Sequence, residues 1–559
     1  AGGRPLHAKE AAPGPTPQGL GDLFPFGVPE VRASWEELPG GMKRYEAVQQ
    51  AVTWLVTHQS SSGAWRPHEL GWVNGTLNAE GAPEGVGKAG FDIGVTGLAT
   101  AALLAAGIDP NGSHPHAPAV QRALAWLLSR QGQDGGFGPQ SGNNNIYNHA
   151  FALPAMLEAW ALTGDPTYWK ALDRALTFSE TARNPGAGWR YGIRPGDSDT
   201  SATCSSAMPF AFLHRLDVIA AAAGRSVPHE VPADLRSDVG RYLERLTDTY
   251  AGRTGYLNPG TGPARTQELI DKFPGEKSEA MTAAMLATRL LLLDASPQDP
   301  GIRKSFGLVA GLPPRWDTEA GTIDLYYWYY GALAAAALPL PEARAWEEAL
   351  AAALLPAQRK DGAPGDVQGS WDAVGVWCPD GGRIYATSMA CLALLAPFRV
   401  GALHPGRPDI VRALSRPIDD LDVERHLIEA VARLELLDAI PALAERLAKG
   451  KPPVKLFAAA AMIELGQGNE RVQGTLRDLV GGSDATLRRD ALVALGAVPD
   501  PSPASLTLLE GVVADPDPAV RAAAARGLAT KASTYAEQLT ALQQDASPQV
   551  RAWAASPPP

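Results

Sequence analysis

The chain has 559 residues, 45% hydrophobic and 19% charged, the balance of a globular protein with ample core. Its formal net charge of -11 excludes a general binder of nucleic acid or anionic membrane, since both need a basic surface. Cys204, Cys378 and Cys391 form no C-x-x-C pair, and an odd count leaves room for one disulfide at most.

Residues 1–40 are rich in Pro and Gly, carry little helical periodicity, and read as an extended arm. The start in AGG fits a mature end left by a signal peptidase, from which a periplasmic or extracellular location is expected. The apolar run closest to a membrane span is Leu325–Leu340, which is too short and carries a Pro.

From about residue 41 a pattern repeats: an amphipathic helix, a Gly-rich turn often opened by Gln, then a helix rich in Ala and Leu. The clearest turns run from Gln59 to Trp65 and from Gln131 to Phe137; weaker ones reach Trp189, Tyr256 and Trp371. Amphipathic helices are predicted near Arg44–His58, Pro118–Arg130, Pro166–Thr181, Asp234–Thr249, Pro300–Ala310 and Glu342–Gln358. The second helices are predicted to begin near Asp92, Asn148, Asp199, Glu279, Asp324 and Tyr385. Each of these is apolar nearly all round, which means burial on all sides. Six buried helices alternating with six half-exposed ones predict an inner and an outer ring, an α6/α6 toroid over residues 41–405. The long connection Tyr256–Lys277 is expected to cover one mouth.

After about residue 406 the texture changes to GSDATLRRDALVALG, ADPDPAVRAAAARGLA and DASPQVRAWAA. Lys455, Arg488, Arg521 and Arg551 recur at spacings of 33, 33 and 30 residues, with Asp or Ser four positions before the last three. Such an acid caps a helix and a following Pro fixes its start. These segments resemble HEAT repeats, so the fold class is all-α: a toroid followed by a short HEAT-like α-solenoid over residues 406–559.

The turn QGQDGGFG at Gln131–Gly138 resembles that of squalene–hopene cyclases and protein prenyltransferase β subunits. GWRYG (188–192), SEAMT (278–282), DLYYWYYG (324–331), GSWD (370–373) and GGRIYATS (381–388) are similar to bacterial prenyltransferase/squalene-oxidase repeat proteins. The resemblance implies the toroid fold, but that fold hosts several chemistries and non-enzymatic domains. The cyclases protonate an alkene with the middle Asp of a DxDD motif. In Asp197-Ser198-Asp199-Thr200, one alignment puts Asp199 on that acid; the other puts Ser198 there and leaves Asp199 as a helix cap. The acid role asks for a carboxyl pointing into an apolar cavity and free of backbone donors. The transferases bind zinc through Asp, Cys and a His following a Tyr; here Tyr385 precedes Ala386, so no metal or other cofactor is expected.

Polar starts of inner helices gather at one mouth of a toroid. Asp92, Asn148, His149, Glu279, Asp324 and Tyr385, with Trp328, Trp371, Tyr191 and Tyr326 nearby, form the expected ligand pocket, and Asp199 and Asp197 the candidate acids. Each polar residue also has a plainer reading as a cap. Weighed with the solenoid, these features predict a non-catalytic scaffold that binds protein partners through its arm and HEAT-like repeats. A terpenoid-cyclase-like enzyme acting through Asp199 is the alternative, and a carbohydrate-active barrel the second.

Overall fold

Every second helix in the first part of the chain is apolar on all faces, and that asymmetry dictates the architecture. The computed structural model describes residues 35–555 apart from 37, 71, 74–75, 78–84, 140–141, 223–225, 361–366, 403–409, 412–413, 416, 419–420 and 434–435. Of the expected arm at residues 1–40, residues 1–34 lie outside them. The chain divides into two compact units, residues 1–404 and 405–559.

In the first unit the outer helices are α1 (Gly41–Thr57), α3 (Ala117–Arg130), α5 (Pro166–Ala182), α7 (Ala233–Leu246), α9 (Pro300–Gly311) and α11 (Pro341–Ala357). The inner helices are α2 (Asp92–Ala105), α4 (Asn143–Thr163), α6 (Thr200–Ala222), α8 (Ala280–Leu292), α10 (Leu325–Ala336) and α12 (Cys378–Ala402). Each inner helix packs on the next, and α12 packs back on α2, so the ring closes. Leu103, Leu153, Leu213, Leu286, Leu333 and Leu394, one from each inner helix, are fully buried. Each such side chain contributes about 1.5–3 kcal/mol.

The Gln-led turns fasten one hairpin to the next. Gln59 Nε2 donates to Gly63 O at 2.9 Å in its own turn and to Ala119 O at 2.8 Å on α3. Gln131 repeats this with Gly135 O at 3.0 Å and Ala171 O at 2.7 Å on α5. Gln358, after the last outer helix, reaches Gly369 O at 2.9 Å and Ala47 O at 2.7 Å on α1, which closes the outer ring too. Gly63, Gly135 and Gly369 have φ of +93°, +91° and +91°, and a Cβ on any of them would sit 2.3–2.5 Å from a backbone carbonyl oxygen of the neighbouring helix. Only glycine fits these three turns.

Helix α12 is long and apolar enough to cross a membrane, and it, rather than Leu325–Leu340, is the segment that meets that test. Here it is the sixth inner helix, interrupted at Gly382 (φ 64°) and buried over most of its length. A short antiparallel pair, Trp72–Val73 with Thr76–Leu77, is the one sheet among the described residues. Cys204, Cys378 and Cys391 are buried free thiols, so the disulfide that the count left room for is absent.

The second unit is a succession of short helices: α13 (Leu421–Arg433), α14 (Ile440–Lys449), α15 (Pro452–Glu464), α16 (Glu470–Val480), α17 (Ala485–Gly496), α18 (Pro503–Gly511), α19 (Pro518–Ala529), α20 (Ala536–Leu542) and α21 (Pro548–Ala555). Asp484 caps α17 by accepting from the Thr486 and Leu487 N–H groups, and Asp517 caps α19 through Ala519 N–H. Arg521 grips the Asp545 carboxylate with two bonds of 2.7 and 2.9 Å, fastening α19 to the turn before α21.

Candidate functional site

The inner helices share a register. With Asp92, Asn145, Asp199, Ser278, Asp324 and Arg383 as position zero, position four holds Thr96, His149, Thr203, Thr282, Trp328 and Thr387. At five of these six a side chain accepts from a backbone N–H of the preceding turn: Thr96 from Trp65 (3.0 Å), His149 Nδ1 from Phe137 (3.1 Å), Thr203 from Trp189 (3.1 Å), Thr282 from Thr254 (3.2 Å) and Thr387 from Trp371 (3.2 Å). This position faces the outer layer. Position two faces the axis and holds Gly94, Tyr147, Ser201, Ala280, Tyr326 and Tyr385, and all six line a single cavity of about 230 Å³.

The rest of that cavity wall is mostly aromatic and apolar, with Phe91, Val95, Leu98, Phe151, Tyr191, Tyr256, Met281 and Trp377, joined by the polar Asn148 and Asp380 and by Pro263–Thr266. The loop carrying Pro263–Thr266 is anchored by Arg265, whose guanidinium meets Asp324 Oδ2 at 3.0 Å in a buried pair. Asp324 also accepts from Ser278 Oγ at 2.8 Å and caps α10 through Tyr327 N–H at 3.0 Å. A run of hydroxyls crosses the cavity: Tyr147 Oη to Ser201 Oγ at 2.9 Å, Ser201 Oγ to Tyr326 Oη at 2.9 Å, then Ser205 and Tyr330 at 3.2 and 3.1 Å. Deeper in the ring, Arg399 on α12 pairs with Glu158 on α4, donates to Tyr329 Oη at 3.2 Å, and lies over the Phe212 ring.

Asp199 immediately precedes α6 and is fully buried. Its Oδ1 accepts from Ala202 N–H at 2.7 Å, while Oδ2 has no hydrogen-bond partner and lies 3.6 Å from Arg190 Nε. Burial pushes its carboxyl up to about 6, against the Ala202 N–H, Arg190 and the nearby Tyr256 hydroxyl. Asp199 therefore caps α6 through Oδ1, against the expectation of an acid free of backbone donors, and it is not among the residues that line the cavity. Ser201, Tyr191 and Tyr256 line the cavity whereas Asp199 does not, and the Tyr191 and Tyr256 hydroxyls are bonded to each other at 2.6 Å. Asp197 is exposed and paired with Arg190, away from the cavity wall.

Of the expected pocket, Asn148 and Tyr385 line the cavity, as do Tyr191 and Tyr326. Asn148 is spent on structure, its Oδ1 accepting from Gly94 N–H at 2.8 Å and its Nδ2 donating to Gly90 O at 2.7 Å. The others are placed elsewhere. Glu279 is buried against Arg253 (2.6 Å) and Thr282 (2.8 Å). Asp92 meets His68 Nδ1 at 3.2 Å. Trp371 staples its turn through Nε1 to Leu354 O at 2.8 Å, and Trp328 is buried at position four. His149, expected in the ligand pocket, does not line the cavity: Nδ1 accepts from Phe137 N–H, Nε2 bonds Ser179 Oγ at 2.7 Å, and burial pulls the ring down to about 4. It does the work that Thr does at the equivalent positions.

The sequence reading missed Phe91, Tyr147, Ser201, Tyr256 and Trp377. The recurring Thr at position four was the signal available, because it fixes which residue of each inner helix points to the axis.

The family described as HEAT repeats matches residues 440–529. No curated protein matches the chain. Among solved structures, the chain is similar to the GH76A α-1,6-mannanase of Salegentibacter sp. HEL1_6, at 13% identity over 63% of this chain and 99% of that one, TM-score 0.43. It is similar to the type II terpene cyclase MstE from Scytonema, at 14% identity over 63% and 97%, TM-score 0.40. A protein from Actinoplanes matches at 13% identity over 64% and 99%, TM-score 0.33. At such identities the likeness concerns the fold. The expectation of a non-catalytic scaffold is corrected: this toroid keeps a cavity lined by all six inner helices instead of a filled centre, and two of the three named neighbours, the mannanase and the terpene cyclase, are enzymes. The carbohydrate alternative finds no acid pair on the wall. Asp380 is the lone lining carboxylate among the described residues, and it is tied to Lys88 at 2.7 Å.

Proposed function

We propose that the toroid is an enzyme that takes an apolar, unsaturated substrate of the isoprenoid kind and starts its rearrangement by protonation, with Asp199 as the acid. The observation that carries this is a cavity rich in aromatic side chains, lined by Tyr191, Ser201 and Tyr256, with the buried Asp199 carboxyl, raised by its burial, next to these residues. A carbon–carbon double bond is a very weak base. Its acid must hold a proton in a dry site, and Asp199 is fully buried with the Tyr256 hydroxyl beside it. The Tyr256–Tyr191 hydroxyl pair gives the proton a path. Tyr256 takes the Asp199 proton as it passes its own to Tyr191, and the Tyr191 proton forms the new C–H bond. Both tyrosines end neutral, and the negative charge stays on Asp199 beside Arg190. The carbocation is held by aromatic faces. It is quenched when an adjacent C–H returns a proton along the same path, so the net reaction is an isomerisation or cyclisation without a co-reactant.

Incubation with geraniol, farnesol and geranylgeraniol, followed by gas chromatography and mass spectrometry, tests this reading. A product of unchanged mass and new retention time is expected from the wild type and not from Asp199→Asn. No product and no ligand-induced rise in melting temperature with any of the three would overturn it. A protein partner for the HEAT-like unit and the arm is a separate proposal, supported by the extended surfaces that such repeats present and tested by native co-purification.

A further inference from the structure

The six-helix order places α8 between α6 and α10. A side chain of α10 that bonds α6 must therefore pass in front of α8, across the lumen. Tyr326 does this: it lines the cavity, and its hydroxyl meets Ser201 Oγ at 2.9 Å and Ser205 Oγ at 3.2 Å, both on α6. Tyr330, one turn further along α10, backs it at 4.8 Å between ring centroids and bonds the same Ser205 at 3.1 Å. The small Ala280 at position two of α8 makes room for the crossing. On its α6 and α10 side the cavity thus stops at this bridge, since Ser205 and Tyr330 beyond it do not line it, while Leu98 and Phe151 line it one turn further along α2 and α4.

We infer that Tyr326 is the floor of the cavity on its α6 and α10 side and there sets the length of linear substrate that it takes. This rests on the proposed reading that an isoprenoid enters from the mouth. Phe at this position keeps the ring and loses the bonds to α6, whereas Ala removes the ring and opens the lumen towards Tyr330. Depth should therefore follow the ring and not the hydroxyl.

The test is binding of geraniol, farnesol and geranylgeraniol to the full chain, read by tryptophan fluorescence, since Trp377 lines the cavity. Tyr326→Ala is expected to raise the affinity ratio of the longest alcohol to the shortest by about tenfold or more, as burial of added carbons implies. Tyr326→Phe is expected to leave that ratio within about twofold of wild type. Should Tyr326→Ala lose its cooperative melt, Tyr326→Leu replaces it, with a rise in the same direction. An unchanged ratio in a folded Ala or Leu variant overturns the inference while leaving the proposed function standing. Failure of the wild type to bind any of the three overturns that function and this inference together.

Discussion

At the scale of single residues, one position of the inner-helix register separates structure from chemistry. His149 occupies a site that elsewhere holds Thr, and its Nδ1 does what a Thr hydroxyl does four times over. His149→Thr is expected to keep the fold and the activity at a cost of about 1 kcal/mol for lost volume. His149→Ala also orphans the Phe137 N–H, a further cost of about 1–3 kcal/mol. Urea denaturation of the two variants checks the order. Asp199 is the contrasting case. As the acid it must hold its proton, so turnover is expected to fall as pH rises through about 6. Asp199→Asn is expected to lose activity by about a hundredfold or more. The sequence made Asp199 visible through its DSD context, but the raised carboxyl depends on burial against the pull of Arg190, which no spacing encodes.

Among elements, two contacts hold the ring in ways that the apolar pattern does not reveal. Glu158 and Arg399 join α4 to α12 deep in the lumen. Burial pushes the Glu158 carboxyl up although Arg399 pulls it down, while the pairing outweighs burial to raise the Arg399 guanidinium. Removing one partner strands the other, so Glu158→Ala is expected to cost about 3–5 kcal/mol in chemical denaturation. His229 lies between Asp173 and Glu180 of α5, at 2.9 Å from each. Burial works against its charged form, yet the two carboxylates lift it to about 9. A group raised in the folded state stabilises fully below its unfolded value and loses that contribution as pH climbs through the folded one. The melting-temperature gap between wild type and His229→Gln is therefore expected to be widest near pH 6 and to close above about pH 9. The helices themselves were legible because apolar runs and Gly turns report burial. Glu158 and Arg399 lie 241 residues apart, and only the closed ring brings them together.

For the whole molecule, the two-part organisation followed from a change of repeat: Gln-led turns and all-apolar helices give way to Asp-capped helices with a recurring Arg. The cavity did not follow in the same way. The polar starts of inner helices were expected at the mouth as ligands, but most are consumed by caps and ion pairs such as Asp324 with Arg265 and Glu279 with Arg253. What lines the cavity is the next axial position, chiefly tyrosines that composition alone would assign to core. Every residue of the cavity lies in the first unit. A chain ending at His404 is accordingly expected to bind and turn over the same substrates as the full protein, measured side by side on purified material.

The central claim is protonation of an alkene inside the toroid. Turnover in deuterium oxide tests it most directly. With geranylgeraniol or whichever shorter alcohol proves the better substrate, the account predicts one deuterium on carbon in the product, delivered by wild type and absent with Asp199→Asn. A product without carbon-bound deuterium, or equal labelling by Asp199→Asn, would contradict it.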